Sequence, residues 1–331
     1  MTIAAVVPVW NGREWLERML ASLARQTQPA TELIVVDNGS TDGAPELAAA
    51  RGARVIAMGF NAGFAAAVNR GIRESRSARE RSCDSIAVLN SDVELAPDYL
   101  EKLVAADAWF ATGKLLTPST DRIDGTFDAT CRGGTTWRAG SGREDAPIFD
   151  QRRAIASAPF TAALFRAELF ERVGLLDERF ESYLEDVDFG LRCTSCGLEG
   201  VYEPAAIAWH KGSATLGRWH SATVRRIARN QIYLLARHYP TPLLGRWFRP
   251  ILAAQLLWGG VALRHGAGLA WLRGAMQGLV GARGVRKGGA RMNEKVLRRL
   301  MQSNESDIRR IQEVTGHDAY WKWYFRLAGG A

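Results

Sequence analysis

The chain has 331 residues, 47% hydrophobic and 24% charged, which excludes a disordered or fibrous polypeptide and leaves room for one or two domains with a sizeable core. Its net charge of +8 is unevenly placed: residues 1–215 carry 23 Lys and Arg against 30 Asp and Glu, and residues 216–331 carry 20 against 5. Halves of opposite sign predict two kinds of surface. Four cysteines exclude a disulfide framework. Cys193 and Cys196 form one C-x-x-C pair with no second pair to complete a zinc site, so two packed thiols on a helix are expected ahead of a zinc or redox site.

The Met1 end lacks a basic leader and reaches Pro8 and Asn11 after a short apolar run, which predicts a strand rather than a secretory signal, in a cytoplasmic protein. That run, Ile3 to Val9, is apolar enough for burial on both faces, and Trp15, Leu16, Met19, Leu20 and Leu23 follow at helical spacing. Leu33 to Val36 is a second strand, ending in Asp37-Asn38-Gly39-Ser40-Thr41-Asp42-Gly43, where Thr41 or Asp42 can cap a helix over Pro45 to Arg51. A third strand spans Arg54 to Met58, Asn61-Ala62-Gly63-Phe64 turns into a helix over Ala65 to Glu74, and Ser85 to Leu89 is a fourth strand. The βαβαβαβ order predicts a parallel sheet with right-handed crossovers. Asn11, Asp37, Asn61 and Asp92 each follow a strand, so four polar loops share one edge of one sheet.

Such an edge is where open α/β sheets bind ligands, and a nucleotide is the natural one. No G-x-G-x-x-G follows a strand and no G-x-x-x-x-G-K-[ST] occurs, which disfavours a dinucleotide enzyme or a P-loop NTPase. Asp37 can instead accept from a base N–H or ribose hydroxyl, the backbone from Pro8 to Asn11 can frame the base, and a cation on Asp92 can neutralise a diphosphate. Taken alone, Asp92 reads equally as a turn or cap residue. Further on, Glu181, Glu185, Asp186 and Asp188 place four carboxylates within eight positions at a helix start, which is either a catalytic block or an acidic first turn that complements the helix dipole.

Jointly, Val7-Pro8-Val9-Trp10-Asn11-Gly12, the Asp37 block, Asn61-Ala62-Gly63-Phe64 with Asn69 and Gly71, and Leu89-Asn90-Ser91-Asp92 resemble the inverting family 2 glycosyltransferases of GT-A fold, in particular the rhamnosyltransferase-like group that builds bacterial surface polysaccharides. The resemblance covers about residues 1–215. It implies an α/β fold with a Rossmann-like, mostly parallel sheet flanked by helices as the catalytic domain, a nucleotide-sugar donor, a divalent Mg²⁺ or Mn²⁺ ion and inversion without a covalent intermediate. The positions it assigns to the donor nucleotide are Pro8, Trp10, Asn11, Asp37, Asn38, Ser40, Asn61, Gly63, Phe64, Asn69, Asn90 and Ser91. Ser91 stands where the family often has proline or an acid, so the metal rests on Asp92 and the diphosphate. Asp186 matches the second acid of the family's Glu-Asp pair and is assigned as the general base, ionised by the helix N-terminus, with Glu185 close by and Asp188 structural. Thr161, in a segment that reads equally as a buried strand, is an acceptor contact. Trp209-His210-Lys211-Gly212-Ser213 matches a block that lies near the diphosphate, with His210 a metal or phosphate contact or else a packing residue, and Lys211 a leaving-group stabiliser.

Residues 117–153 show no clear period and predict a β-hairpin or a mobile loop. From 216 to 331 a helical basic region is expected. Ala222 to His238 is a helix by pattern; Pro250 to Leu263 and Trp271 to Val280 are apolar, too short to span a bilayer, and edged by Arg. They suit an element lying in the membrane interface or a re-entrant helix pair, with a helical subdomain or homo-oligomer contact as alternatives, whereas no motif supports nucleic acid. The expected activity is transfer of a sugar, with rhamnose from dTDP-rhamnose one possibility, onto a polysaccharide or polyprenyl-linked glycan acceptor at the inner membrane face. The alternatives are a nucleotidyltransferase making nucleotide sugars and a non-catalytic membrane-bound scaffold of the same fold.

Overall fold

The computed structural model describes residues 1–76, 83–120, 122–212, 217 and 219–329; Ser213, the end of the His210 block, lies outside them. β1 (Ile3–Val9), α1 (Arg13–Leu23), β2 (Glu32–Asp37), α2 (Ala44–Ala50), β3 (Arg54–Ala57), α3 (Phe64–Arg76) and β4 (Ser85–Leu89) alternate as the apolar runs predict. β1 pairs in parallel with β2 and β4, and β2 with β3, because β1 and β4 are buried along their whole length and need neighbours on both sides. The carboxyl ends of four parallel strands therefore lie along one edge.

Beyond β4 come β5 (Val93–Leu95), α4 (Tyr99–Ala105) and β6 (Phe110–Leu116), then the short strands β7 (Ile123–Gly125), β8 (Asp128–Thr130), β9 (Thr136–Arg138) and β10 (Arg153–Ile155). The segment without a clear period thus forms the β8–β9 hairpin and two sheet-edge strands. β11 (Ala162–Arg166) inserts antiparallel between β4 and β6, and β12 (Gly200–His210) follows the short α5 (Leu169–Arg172) and α6 (Glu185–Ser195). The main sheet runs β10-β12-β6-β11-β4-β1-β2-β3, with β5 on β12 and β7 on β6.

Among the described residues, six helices follow: α7 (Ser221–His238), α8 (Thr241–Arg246), α9 (Phe248–Arg264), α10 (Gly268–Lys287), α11 (Glu294–Thr315) and α12 (Ala319–Ala328). They pack against the sheet. Ala254, Ile308, Ile311, Trp321 and Tyr324 share one apolar cluster with Phe110, Phe165 and Phe189, and the buried Arg132 guanidinium lies 3.0 Å from Glu305 of α11. On α6, Cys193 is buried but Cys196 is exposed at the C-cap, so only the first of the expected thiol pair is packed.

Candidate active site

A cavity of about 1280 Å³ opens at the carboxyl edge of the sheet. Pro8 at the end of β1 with Trp10 and Asn11 after it, Asn38 after β2, Asn61 and Gly63 before α3 with Phe64 at its start, and Asn90, Ser91 and Asp92 after β4 all line it. The loops brace one another. Asn11 N–H donates to Ser40 Oγ at 2.9 Å, Thr41 N–H to Asn11 Oδ1 at 2.9 Å, and Asn38 Nδ2 to Asn61 Oδ1 at 3.1 Å. Gly39 has φ +85°, and a Cβ there would stand 2.9 Å from the Phe60 backbone, so only glycine lets the second and third loops meet.

Four of the expected contacts are not on the cavity wall. Asp37 is buried behind it, accepting from Ser40 N–H at 2.9 Å, and Ser40 is spent on Asn11. Asn69 is buried on α3 with its amide exchanging hydrogen bonds with the Leu176 backbone at 2.9 and 3.0 Å, which makes it a pin between α3 and the chain before α6 rather than a donor contact. Lys211 is exposed, its amine 5.3 Å from the Trp15 ring centre.

β5 pairs antiparallel with β12, opposing Val93 to His210, and this register brings Asp92 to the imidazole: Asp92 Oδ1 is 3.2 Å from His210 Nε2. β7 delivers Asp124, whose Oδ2 is 2.8 Å from Nδ1 of the same ring. Burial pulls the imidazole pKa down, yet the hydrogen bonds to Asp124 and Asp92 outweigh it and push it up to about 9. Two carboxylates thus hold one positive charge here. Among the described residues no group of three or more His, Cys, Asp or Glu is arranged to hold a metal. With the proton on Nε2 displaced, Asp92 and His210 would fit as two adjacent ligands, since oxygen and nitrogen donors about 2.1 Å from an octahedral ion stand about 3 Å apart. Asp124 would then fix the ring through its other nitrogen, as carboxylates commonly do behind a ligating histidine.

Across the cavity, Glu185 and Asp186 open α6, and the chain enters that helix through a strained bend. Glu181, Tyr183 and Leu184 have φ of 60°, 71° and 67°, which side chains other than glycine rarely adopt. α7 holds the bend in place. Asn230 Nδ2 donates to the carbonyls of Phe180, Ser182 and Tyr183 at 2.8, 3.1 and 2.7 Å, while Arg226 and Arg229 pair with Glu181 at 3.0 and 2.5 Å. From the other side, Ala65 N–H donates to Glu181 O at 2.9 Å.

Burial, first, and then the Asp128 charge push Asp186 up to about 6, with Arg138 pulling the other way. Burial and the neighbouring Asp186 charge raise Glu185 well above the ordinary carboxylate range. The expected lowering of Asp186 by the helix end is therefore overturned by desolvation. Of the two acids it is Asp186 that lies beside Arg138, whose Nη2 is 3.4 Å from Asp186 Oδ2 and whose Nη1 is 3.3 Å from Thr161 Oγ1. Arg138 also pairs across the β8–β9 hairpin with Asp128 at 3.3 Å. Asp188 faces inward instead. Burial would raise it, but the His238 hydrogen bond and the charges of Arg192, His238 and Arg237 hold it well below the usual range. Among the buried side-chain oxygens without a hydrogen-bond partner, Asn90 Oδ1, Asp128 Oδ2, Glu185 Oε2 and Gln231 Oε1 belong to cavity-lining residues. Buried polar atoms are normally paired, so four orphans round one cavity mark where ligand donors fit.

Asp124, Asp128, Arg138, Arg226 and Asn230 escape a reading of the sequence. The one local signal was Asp124 and Asp128 bracketing Phe127 in a segment otherwise without period.

A sheet edge that gathers polar loops opposite a buried acid pair defines a glycosyltransferase of GT-A type. Comparison with known proteins agrees: the family model Glycosyl transferase family 2 matches residues 4–174, and the chain belongs to that family. It is 31% identical over 279 residues, 75% of this chain and 87% of the relative, to the N-acetylglucosaminyl-diphospho-decaprenol L-rhamnosyltransferase of Mycobacterium tuberculosis. It is 28% identical over 228 residues, 64% of this chain, to the O-antigen biosynthesis protein RfbC of Myxococcus xanthus, of which it spans 17%. Among solved structures, the fold is similar to GalNAc-T7 with UDP, GalNAc and Mn²⁺ (TM-score 0.57, 15% identity, 78% of this chain and 51% of that one). It is also similar to a Pyrobaculum calidifontis mannosyltransferase with GDP-Man and Mn²⁺ (TM-score 0.50, 18% identity, 97% and 85%). The family sets aside a nucleotidyltransferase and a non-catalytic scaffold.

Proposed function

We propose that this enzyme transfers a sugar, with rhamnose from dTDP-rhamnose the first donor to test, onto a polyprenyl-linked or nascent glycan at the inner face of the membrane, with inversion. The observation that carries the reading is the single cavity that holds the four polar loops, the Asp92–His210 pair and Asp186 together. The nucleotide lies against Pro8, Trp10, Asn11, Asn38 and Asn61, with its diphosphate toward Asp92 and His210. Asp92 and His210 would hold a Mg²⁺ or Mn²⁺ ion, which would supply charge neutralisation for the leaving diphosphate. The acceptor enters from the side of Thr161 and Arg138. Asp186 takes the proton of its hydroxyl while that oxygen bonds to the anomeric carbon, and the carbon–diphosphate bond breaks on the opposite face. Glu185, its carboxyl pushed well above the ordinary range by burial and the Asp186 charge, hydrogen-bonds the acceptor, and Arg138 keeps Asp186 aimed.

The relative's name supplies the rhamnosyl group and the polyprenyl diphosphate; the orphan oxygens and the acid pair supply the chemistry. The test is thermal stabilisation across a panel of nucleotide sugars with and without Mn²⁺, followed by transfer to a polyprenyl-diphosphate N-acetylglucosamine. A ligand of the native state raises apparent stability by mass action, a few kcal/mol at about 100 times its Kd. Stabilisation by one nucleotide sugar, stronger with Mn²⁺ and weakened in Asp92→Ala, is expected. A panel without any stabilising member, or a metal effect unchanged in Asp92→Ala, contradicts it.

A further inference from the structure

Helices α9 and α10 are built inside out. Their small residues face the protein: Ala253, Ala254, Gly259 and Ala262 on α9, and Ala270, Gly274 and Gly278 on α10, are buried. Gly274 lies so close to α7 that a Cβ would stand 2.2 Å from the Arg225 carbonyl. Their large apolar residues face outward. On α9, Phe248, Leu252, Leu256 and Leu263 are 45–72% exposed, and on α10 Leu269, Leu272, Met276, Leu279 and Val280 are 47–85% exposed. Spacings of three, four and seven residues put each set on one stripe. A helix folded for water alone would carry polar residues there, and a patch this continuous marks an interaction surface.

The charge around the patch states what covers it. Residues 204–293 contain no Asp or Glu and 14 Lys and Arg; Arg249, Arg264, Arg273, Arg283 and Lys287 are exposed on these two helices. A second copy of the chain seated here would bring the same cations against themselves, whereas an anionic lipid surface complements both the apolar stripe and its basic border. No described helix is long and apolar enough to cross a membrane. The inward face of α9 continues into the site, because Trp258 and Val261 line the cavity together with Trp219 and Ile227. We infer that α9 and α10 lie in the interface of an anionic bilayer, with the Trp219–Trp258 end of the cavity turned toward the membrane so that a lipid-borne acceptor reaches Asp186 without leaving it.

This inference rests on the lipid-linked acceptor in the proposed function, but its vesicle-binding readout needs neither donor nor acceptor. The full chain is sedimented with phosphatidylcholine vesicles and with vesicles containing about one-third phosphatidylglycerol. Alongside it is a Leu256→Glu/Leu272→Glu/Met276→Glu variant, whose substitutions lie outside the cavity wall. Binding to the anionic vesicles at least tenfold tighter than to the neutral ones, and at least tenfold weaker in the triple variant, is expected. The variant's melting temperature and its transfer to a water-soluble short-chain acceptor should stay as in the parent. Equal binding by variant and parent overturns the inference, as does absence of binding by a folded parent. So does a parent dimer that the triple variant converts to a monomer with vesicle binding unchanged. Loss of vesicle binding in the triple variant with sugar transfer absent throughout would instead leave the surface standing and refute the proposed donor and acceptor.

Discussion

At the scale of residues, three carboxylates within four positions are shifted differently because their surroundings differ: Glu185 and Asp186 upward, Asp188 downward. Asp186, pushed up to about 6 by burial and Asp128, is the one that titrates where a base works. The acid limb of kcat/KM should therefore fall about tenfold per pH unit below about 6 and be flat above it, which a pH–rate profile on a fixed acceptor checks. The same shift has a stability consequence. A carboxyl whose folded pKa is raised above its unfolded value makes the native state bind more protons, so its penalty grows as pH rises from about 4 to about 6 and is full above that. Asp186→Asn should remove a penalty on the order of a few kcal/mol, raising Tm at pH 8 and not at pH 4. A lower Tm at pH 8 would mean that the charge is better accommodated than its burial implies. Asp188 has the opposite sign. Its depressed pKa stabilises the fold above the unfolded value near 4 and is lost as pH falls through the folded one. Asp188→Asn leaves Arg192 and Arg237 facing an uncharged group and should cost about 3–5 kcal/mol, read as a fall in the urea midpoint.

At the scale of elements, the apolar runs Ile3 to Val9, Leu33 to Val36 and Ser85 to Leu89 were legible as strands because each is long enough to show its burial. The helix over Ala222 to His238 was legible too. What α7 does was not: Asn230 and Arg226 act on carbonyls and a carboxylate 45 to 50 positions away, and no local pattern encodes a clamp on a distant bend. The same holds for β7, β8 and β9. Three-residue strands carry no measurable period, so Asp124, Asp128 and Arg138 reached the site through pairing that only the folded sheet defines. Conversely Asn69 sat in a matching motif yet points into the core, because a buried amide pairing both ways with one backbone residue serves packing as well as any ligand would. If Asn230 positions the base, Asn230→Ala should lower kcat about tenfold with little change in donor affinity. The three positive φ angles before α6 would lose their shared partner. Equal losses of donor binding and turnover would assign Asn230 to general stability.

At the scale of the whole molecule, the C-terminal helices complete the core that the sheet begins. Ile308, Ile311, Trp321 and Tyr324 pack with Phe110 and Phe165, and truncating a single buried aromatic or aliphatic side chain typically costs 2–5 kcal/mol. A fragment ending at residue 249 loses several at once and also removes Glu305 from the buried Arg132. It should melt without a cooperative transition and bind a hydrophobic dye, as circular dichroism and dye fluorescence can report. A fragment that melts as sharply as the full chain would make the two regions independent.

In the proposed reaction the parts converge on one carboxylate: the parallel edge would present the donor, β7 and β12 place the imidazole, the β8–β9 hairpin brings Arg138, and α7 holds the bend before Asp186. The most direct measurement is therefore of Asp186→Asn, with donor affinity by calorimetry and turnover by product formation on the same preparation. Donor affinity within a factor of two of the parent and turnover reduced by about 10² or more is the predicted result. Near-parental turnover with the correct donor and acceptor would contradict the account, and the base would have to be sought among the other acids of the cavity wall.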